Sequence, residues 1–207
     1  MHTIKQLLRF YFITDDGPAK LTPLEQVRTA IDAGATLVQY RNKQFGLHFF
    51  QEAAAIRDLC YRKGVPLIVN DNILLAKAVN ADGVHIGQDD DPPRLARSVL
   101  GPRAIVGLSV STLEELNYSQ LDGCDYLGTG PVFSTQTKKD TKPVIGLDGL
   151  KTIASQAKLP VVAIGGIQTE NARSCFQQGA AGIAVISAIT RADNPSQAAA
   201  DLAAACR

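Results

Sequence analysis

The sequence has little of what several common function classes require. Its 207 residues include four cysteines and three histidines. The cysteines, Cys60, Cys124, Cys175 and Cys206, are scattered, with no C-x-x-C pair and no histidine nearby. That spacing argues against zinc and against a disulfide framework, and it fits a reduced, cytoplasmic setting. An excess of one charge is also missing: 21 Lys and Arg stand against 20 Asp and Glu. Net charge therefore offers no reason to expect nucleic acid or an anionic membrane as a partner. No stretch approaches the roughly 18 apolar residues of a membrane helix. The apolar patch in residues 1–14 is interrupted by Arg9 without a small-residue cleavage site after it, so a signal peptide is not expected. Gly and Pro recur singly instead of gathering in a linker, and residues 1–207 are expected to form a single domain.

What is present is an ordinary globular composition, 45% hydrophobic and 20% charged, arranged as a repeat. A short apolar run, a polar loop and a segment of helical character succeed one another eight times. The runs are Phe10 to Thr14, Thr36 to Tyr40, Pro66 to Asn70, Gly83 to Ile86, Ala104 to Leu108, Cys124 to Gly128, Val161 to Ile164 and Gly182 to Ile186. Rich in Val, Ile and Leu with weak alternation, they read as parallel strands covered on both faces. Helix starts are legible at Thr22-Pro23-Leu24-Glu25, where a Thr cap, a Pro at the first helical position and a returning Glu make a capping box. Ser111 to Glu114 or Thr112 to Glu115 offers the same pattern, and Asn194-Pro195 another cap. Gly34, Gly64, Gly123 and Gly179 are expected to stop helices.

Eight βα units at about 26 residues each predict a compact (β/α)8 TIM barrel. A doubly wound sheet is the structural alternative, but no G-x-G-x-x-G follows the first run, and near-equal units favour closure. Chemistry in such a barrel belongs to the loops that follow the strands.

Polar residues do gather there. Gln39, Arg41 and Lys43 fall on one side of the second strand by alternation, and two cations with an amide suit a diphosphate; a merely solvated strand end is the plain alternative. Asn70-Asp71 follows the third run and Gln88-Asp89-Asp90-Asp91 the fourth. Asp71 and one of these aspartates can present hard oxygens to one Mg²⁺, with Asp91 assigned to a helix cap, Asp90 to the metal and Asp89 as its competitor. The longest loop, Thr129 to about Leu147, carries Ser134, Thr135, Thr137 and Lys138, which suit an oxyanion, although a polar surface loop would read the same way. Gly165-Gly166-Ile167 and Ile186-Ser187-Ala188 follow the seventh and eighth runs, where barrels of this kind recurrently bind phosphate. His85 lies within a strand and reads as a satisfied core imidazole, and no Ser/His/Asp or Cys/His pairing is evident.

Across nearly the whole chain these residues resemble the thiamine phosphate synthase family. The resemblance rests on Tyr11-Phe12-Ile13-Thr14-Asp15, Gln39-x-Arg41-x-Lys43, Asn70-Asp71, Ala81-Asp82-Gly83-Val84-His85-Ile86-Gly87-Gln88-x-Asp90, Gly130-Pro131-Val132-Phe133 with Thr135-x-Thr137-Lys138, and Ala163-Ile164-Gly165-Gly166-Ile167. It implies a TIM barrel that joins 4-amino-2-methyl-5-(diphosphooxymethyl)pyrimidine to 4-methyl-5-(2-phosphoethyl)thiazole, releasing diphosphate. By the same resemblance Gln39, Arg41, Lys43, Asn70, Ser109 and Lys138 would hold the pyrimidine diphosphate, Asp71 and Asp90 would bind Mg²⁺, and Thr135, Thr137, Gly166, Ile186 and Ser187 would hold the thiazole phosphate. Arg41, Lys43 and Lys138 would stabilise the leaving diphosphate, and the long loop would close over a pyrimidine methylene cation. Asn72 departs from the Arg or bulky residue often found after Asn-Asp in the family. A thiazole tautomerase of the same barrel type, or a non-catalytic barrel binding thiazole phosphate or thiamine phosphate, would share part of the pattern. The Asp71/Asp90 pair and Lys138 favour the synthase.

Overall fold

The computed structural model describes residues 3–17, 19–43, 48–135, 137 and 142–207. Eight parallel strands close a barrel in chain order: β1 Phe10–Ile13, β2 Leu37–Tyr40, β3 Leu67–Asn70, β4 Gly83–Ile86, β5 Ile105–Ser109, β6 Tyr126–Thr129, β7 Val161–Ile164 and β8 Gly182–Val185. Closure is made by β1 against β8, with Tyr11 opposite Ala184 and Phe12 opposite Val185. The helices are α1 Ile4–Leu7, α2 Pro23–Ala33, α3 Phe49–Lys63, α4 Ile73–Ala78, α5 Pro93–Leu100, α6 Leu113–Tyr118, α7 Gly146–Gln156, α8 Thr169–Gln177, α9 Ser187–Thr190 and α10 Pro195–Ala205. The expected barrel is thus the observed one, with every predicted apolar run overlapping a strand and β5 and β6 each ending one residue beyond it.

The weak alternation of those runs has a structural cause: there are two cores. Side chains that point inward, including Tyr11, Ile13, Leu37, Ile68, Tyr126, Val162 and Ala184, form one cluster. Their neighbours along each strand, such as Phe12, Val38, Val69, Leu127 and Ala163, pack outward against the helices in a larger one. Both faces of every strand therefore need apolar residues. Leu8, fully buried, joins the inner cluster just after the short α1, which the eight-unit reading did not include.

Most of the local helix signals have structural counterparts. Thr22 and Glu25 form a complete capping box on α2, Thr112 rather than Ser111 caps α6, and Asn194 caps α10. Gly34 and Gly64 end α2 and α3 in the left-handed conformation. Two expectations need correction. Asp91 does not cap α5, whose N-cap is Pro92 without any side-chain hydrogen bond; the consecutive prolines set the entry instead. Gly123 does not stop a helix, because α6 already ends at Ser119 and Gly123 belongs to the following turn. Asn72 acquires a local role: its side chain accepts from the Leu75 N–H at 2.8 Å and caps α4.

Candidate active site

Among the described residues, the strand ends bring the predicted side chains to one mouth of the barrel. Gln39 sits on β2 facing the interior, 2% exposed, and its Nε2 donates to the Tyr11 hydroxyl at 2.6 Å. Arg41 and Lys43 follow just beyond the strand. Arg41 Nη1 lies 3.0 Å from Asp16 Oδ1, and the Lys43 N–H donates to Asp16 Oδ2 at 2.5 Å. Lys43 Nζ reaches Asp71 Oδ2 at 2.6 Å. One carboxylate on the β1–α2 loop therefore binds both the Arg41 side chain and the Lys43 backbone, and the two cationic side chains have separate acidic partners. Asp16 was not singled out from the sequence, yet the signal was there: a carboxylate directly after an apolar run.

Asp71 adopts a left-handed backbone, with φ of 60°. This conformation is uncommon outside glycine and is tolerated best by Asn and Asp. The turn is held by the Asp71 N–H, which donates to the His85 carbonyl at 2.8 Å on neighbouring β4. Of the consecutive aspartates after β4, Asp90 is the one whose carboxyl meets Asp71; it also accepts from the Gly87 N–H at 2.6 Å. Partial burial of that carboxyl, followed by the charge of Asp71, raises the Asp90 pKa above the usual carboxylate value. A pair of interacting carboxylates with an upward shift is a site that gains from a divalent cation. Among the described residues no group of three or more His, Cys, Asp or Glu side chains surrounds a common point. Two carboxylates could hold a cation only with further oxygens from water or a ligand, an arrangement common for Mg²⁺.

Ser109 is the last residue of β5, one step further into the strand than the apolar run suggested. Its Oγ lies 3.0 Å from His85 Nε2, and its carbonyl accepts from Gln88 Nε2 at 2.6 Å. Asn70 closes β3 on the inward positions shared with Ile68.

The second cluster lies across the mouth. Thr135 Oγ1 and Thr137 Oγ1 are 3.3 Å apart, and Thr137 Oγ1 donates to Ser187 Oγ at 2.9 Å. Ser187 opens α9, the short helix directly after β8, and Ile186 is its N-cap residue. Gly166 has a positive φ of 64°, and a Cβ there would fall 2.4 Å from the Ser134 carbonyl oxygen. Only glycine lets the β7 loop lie against the loop after β6. These loops, after β6, β7 and β8, thus form one continuous wall. Lys138, assigned to the first cluster, lies outside the described residues, as do 136 and 139–141 of the long loop.

A cleft of about 300 Å³ opens beside the mouth, lined by Asp15, Asp16, Asn42, His48 and Glu52 among others. Three carboxylates make it unsuited to a polyanionic ligand.

A closed barrel with polar side chains gathered at its strand ends defines a TIM-barrel enzyme. The family model described as thiamine monophosphate synthase matches residues 10–189. A thiamine-phosphate synthase from Chloroflexus aurantiacus is 47% identical over 198 residues, 95% of this chain and 91% of its own. Another from Oceanobacillus iheyensis is 44% identical over 94% of this chain and 96% of its own. The solved structure of thiamine phosphate pyrophosphorylase from Pyrococcus furiosus superposes with a TM-score of 0.87 at 38% identity, covering 99% of this chain and 98% of the other. The chain belongs to the thiamine monophosphate synthase family.

Proposed function

We propose that this barrel is a thiamine-phosphate synthase, a transferase that joins the pyrimidine methylene diphosphate to the thiazole phosphate and releases diphosphate. Family membership over nearly the full length supports the reaction, and the observation that carries it into chemistry is the meeting of Arg41, Lys43, Asp71 and Asp90 at one rim of the barrel. One barrel carries both half-sites, with the enzyme working on two phosphorylated small molecules.

In this reading Arg41 and Lys43 donate to the diphosphate oxygens, joined by Lys138. The C–O bond to the pyrimidine methylene breaks with its electron pair passing to diphosphate, so the cations act where negative charge accumulates. Asp71 and Asp90 would hold Mg²⁺, which supplies further neutralisation of the leaving group. Thr135, Thr137, Gly166, Ile186 and Ser187 hold the thiazole phosphate, directing the thiazole nitrogen at the methylene carbon. The new C–N bond requires no proton removal, so the site needs no general base. His85 is consistent with that, since both ring nitrogens already have hydrogen-bond partners.

The four cysteines are unpaired. Burial pushes the Cys60, Cys124 and Cys206 thiols up to about 12, which keeps them protonated and unreactive at neutral pH. Among the described residues no helix is long and apolar enough to cross a membrane.

Mixing the purified protein with both substrates and Mg²⁺ is expected to yield thiamine phosphate and diphosphate in equal amounts, read by chromatography. Absence of product while calorimetry shows both substrates bound would overturn the reading.

A further inference from the structure

Beneath the mouth, an unbroken line of hydrogen bonds crosses the barrel interior. Gln39 Nε2 on β2 meets the Tyr11 hydroxyl at 2.6 Å, Tyr11 meets the Tyr126 hydroxyl at 2.9 Å, Tyr126 meets His85 Nδ1 at 3.0 Å, and His85 Nε2 meets Ser109 Oγ at 3.0 Å. Both tyrosines are at most 1% exposed. Space for the line is reserved by two glycines on the inward face. A Cβ at Gly107 would lie 2.2 Å from Tyr126 Cζ and 2.4 Å from His85 Nδ1, and one at Gly128 would lie 2.9 Å from His85 Cε1.

We propose that Tyr11, Tyr126 and His85 are positioning residues that lock the Gln39 amide and the Ser109 hydroxyl into one donor–acceptor arrangement, matched to a 4-aminopyrimidine. This inference rests on the functional reading above for the ligand, but its geometry does not.

Each phenol has a single proton, so the line must run in one direction. With the Gln39 amide donating, Tyr11 donates to Tyr126, Tyr126 donates to His85 Nδ1, and the proton on His85 Nε2 is given to Ser109 Oγ. Every buried polar hydrogen then has an acceptor. At the two ends, Gln39 Oε1, which has no partner among the described residues, is left as an acceptor, and the Ser109 proton is left to donate. An amino N–H and the ring nitrogen opposite it in a 4-aminopyrimidine are the complement of that pair. Reversing the line would exchange both roles together and present a donor where the amino group must bind.

Two measurements test this. In the unaltered, ligand-free protein at about pH 8, ¹⁵N NMR of the imidazoles, with His85 assigned by its loss in His85→Asn, is expected to show a neutral ring protonated on Nε2. A ring protonated on Nδ1 would overturn the proposed direction. Tyr126→Phe breaks the line at its centre. It is expected to raise KM for the pyrimidine diphosphate about tenfold, the worth of one well-placed hydrogen bond, while leaving KM for the thiazole phosphate within about twofold. An unchanged pyrimidine KM, or an equal rise for both substrates, would make these residues structural only. Should the wild-type protein form no thiamine phosphate, the functional reading fails while the NMR result still decides the line.

Discussion

Arg41 and Asp16 form an ion pair across two strand ends, Nη1 to Oδ1 at 3.0 Å, with side chains only 10% and 14% exposed. Because the same carboxylate also receives the Lys43 N–H, it orders two of the residues proposed to hold the diphosphate. An Arg has five donors, so holding Asp16 with one nitrogen leaves others for an anion.

A double-mutant cycle with Asp16→Asn and Arg41→Ala should therefore show coupling. The expected interaction energy is about 1–3 kcal/mol, read from binding of inorganic diphosphate by calorimetry. Additive effects within about 0.5 kcal/mol would show that Asp16 does not order Arg41.

Asp71 is expected to matter more to turnover than to folding. Its partner Lys43 is half exposed, and such a pair is worth about 0–1 kcal/mol. Asp71→Asn is the suitable variant because Asn tolerates the positive φ at this position, whereas Ala would add strain. It should lower turnover by about 100-fold or more while moving the melting temperature only slightly. Chelating the metal from the wild-type protein should abolish turnover in the same way, with recovery on adding Mg²⁺. A large loss of thermal stability in Asp71→Asn would assign the residue to the fold.

Asp15 presents the opposite case. At 3% exposure it accepts from Arg191 Nε at 2.9 Å, Thr190 Oγ1 at 3.0 Å and the Gly17 N–H at 3.0 Å, tying the β1 end to α9 and the residue after it. Burial pushes its pKa up, but these hydrogen bonds together outweigh burial and hold it below the usual carboxylate value. The folded state thus binds fewer protons here than the unfolded chain does. Its stabilisation is complete above the unfolded pKa of about 3.9 and is lost as pH falls through the lower folded pKa. Asp15→Asn should cost about 2–4 kcal/mol at neutral pH, and urea unfolding should show the gap between variant and wild type narrowing below about pH 4. A gap that stays constant down to about pH 2 would contradict the linkage.

Gly107→Ala places a methyl where the Tyr126 and His85 rings already lie. Overpacking of an interior site of this kind costs about 1–3 kcal/mol, and more where backbone must move. A chemical unfolding midpoint equal to that of the wild type would mean that the rings can move aside.

Much of the molecule was legible in one dimension, for reasons that are local. Strands buried on both faces must be apolar at successive positions, so each run from Phe10 onward announced a strand, and eight near-equal units implied closure. Caps such as Thr22 with Glu25 use residues three apart, and they too were readable. Boundaries shifted where a polar side chain is inside: Ser109 and Thr129 end strands because the barrel interior and the helix layer, not hydropathy, decide where pairing stops. Asp91 looked like a cap, but the prolines after it set the helix start.

The sequence by itself determined the repeat, the parallel barrel and the side of it on which charge would gather, since each depends on neighbours along the chain. Only the tertiary structure decided which of those charges meet. Arg41 and Asp16 are 25 residues apart, Lys43 and Asp71 28, and Tyr11 and Tyr126 115. Closing the barrel folds those separations into contacts of about 3 Å, and no periodicity in the chain encodes which inward side chain on one strand will face which on another.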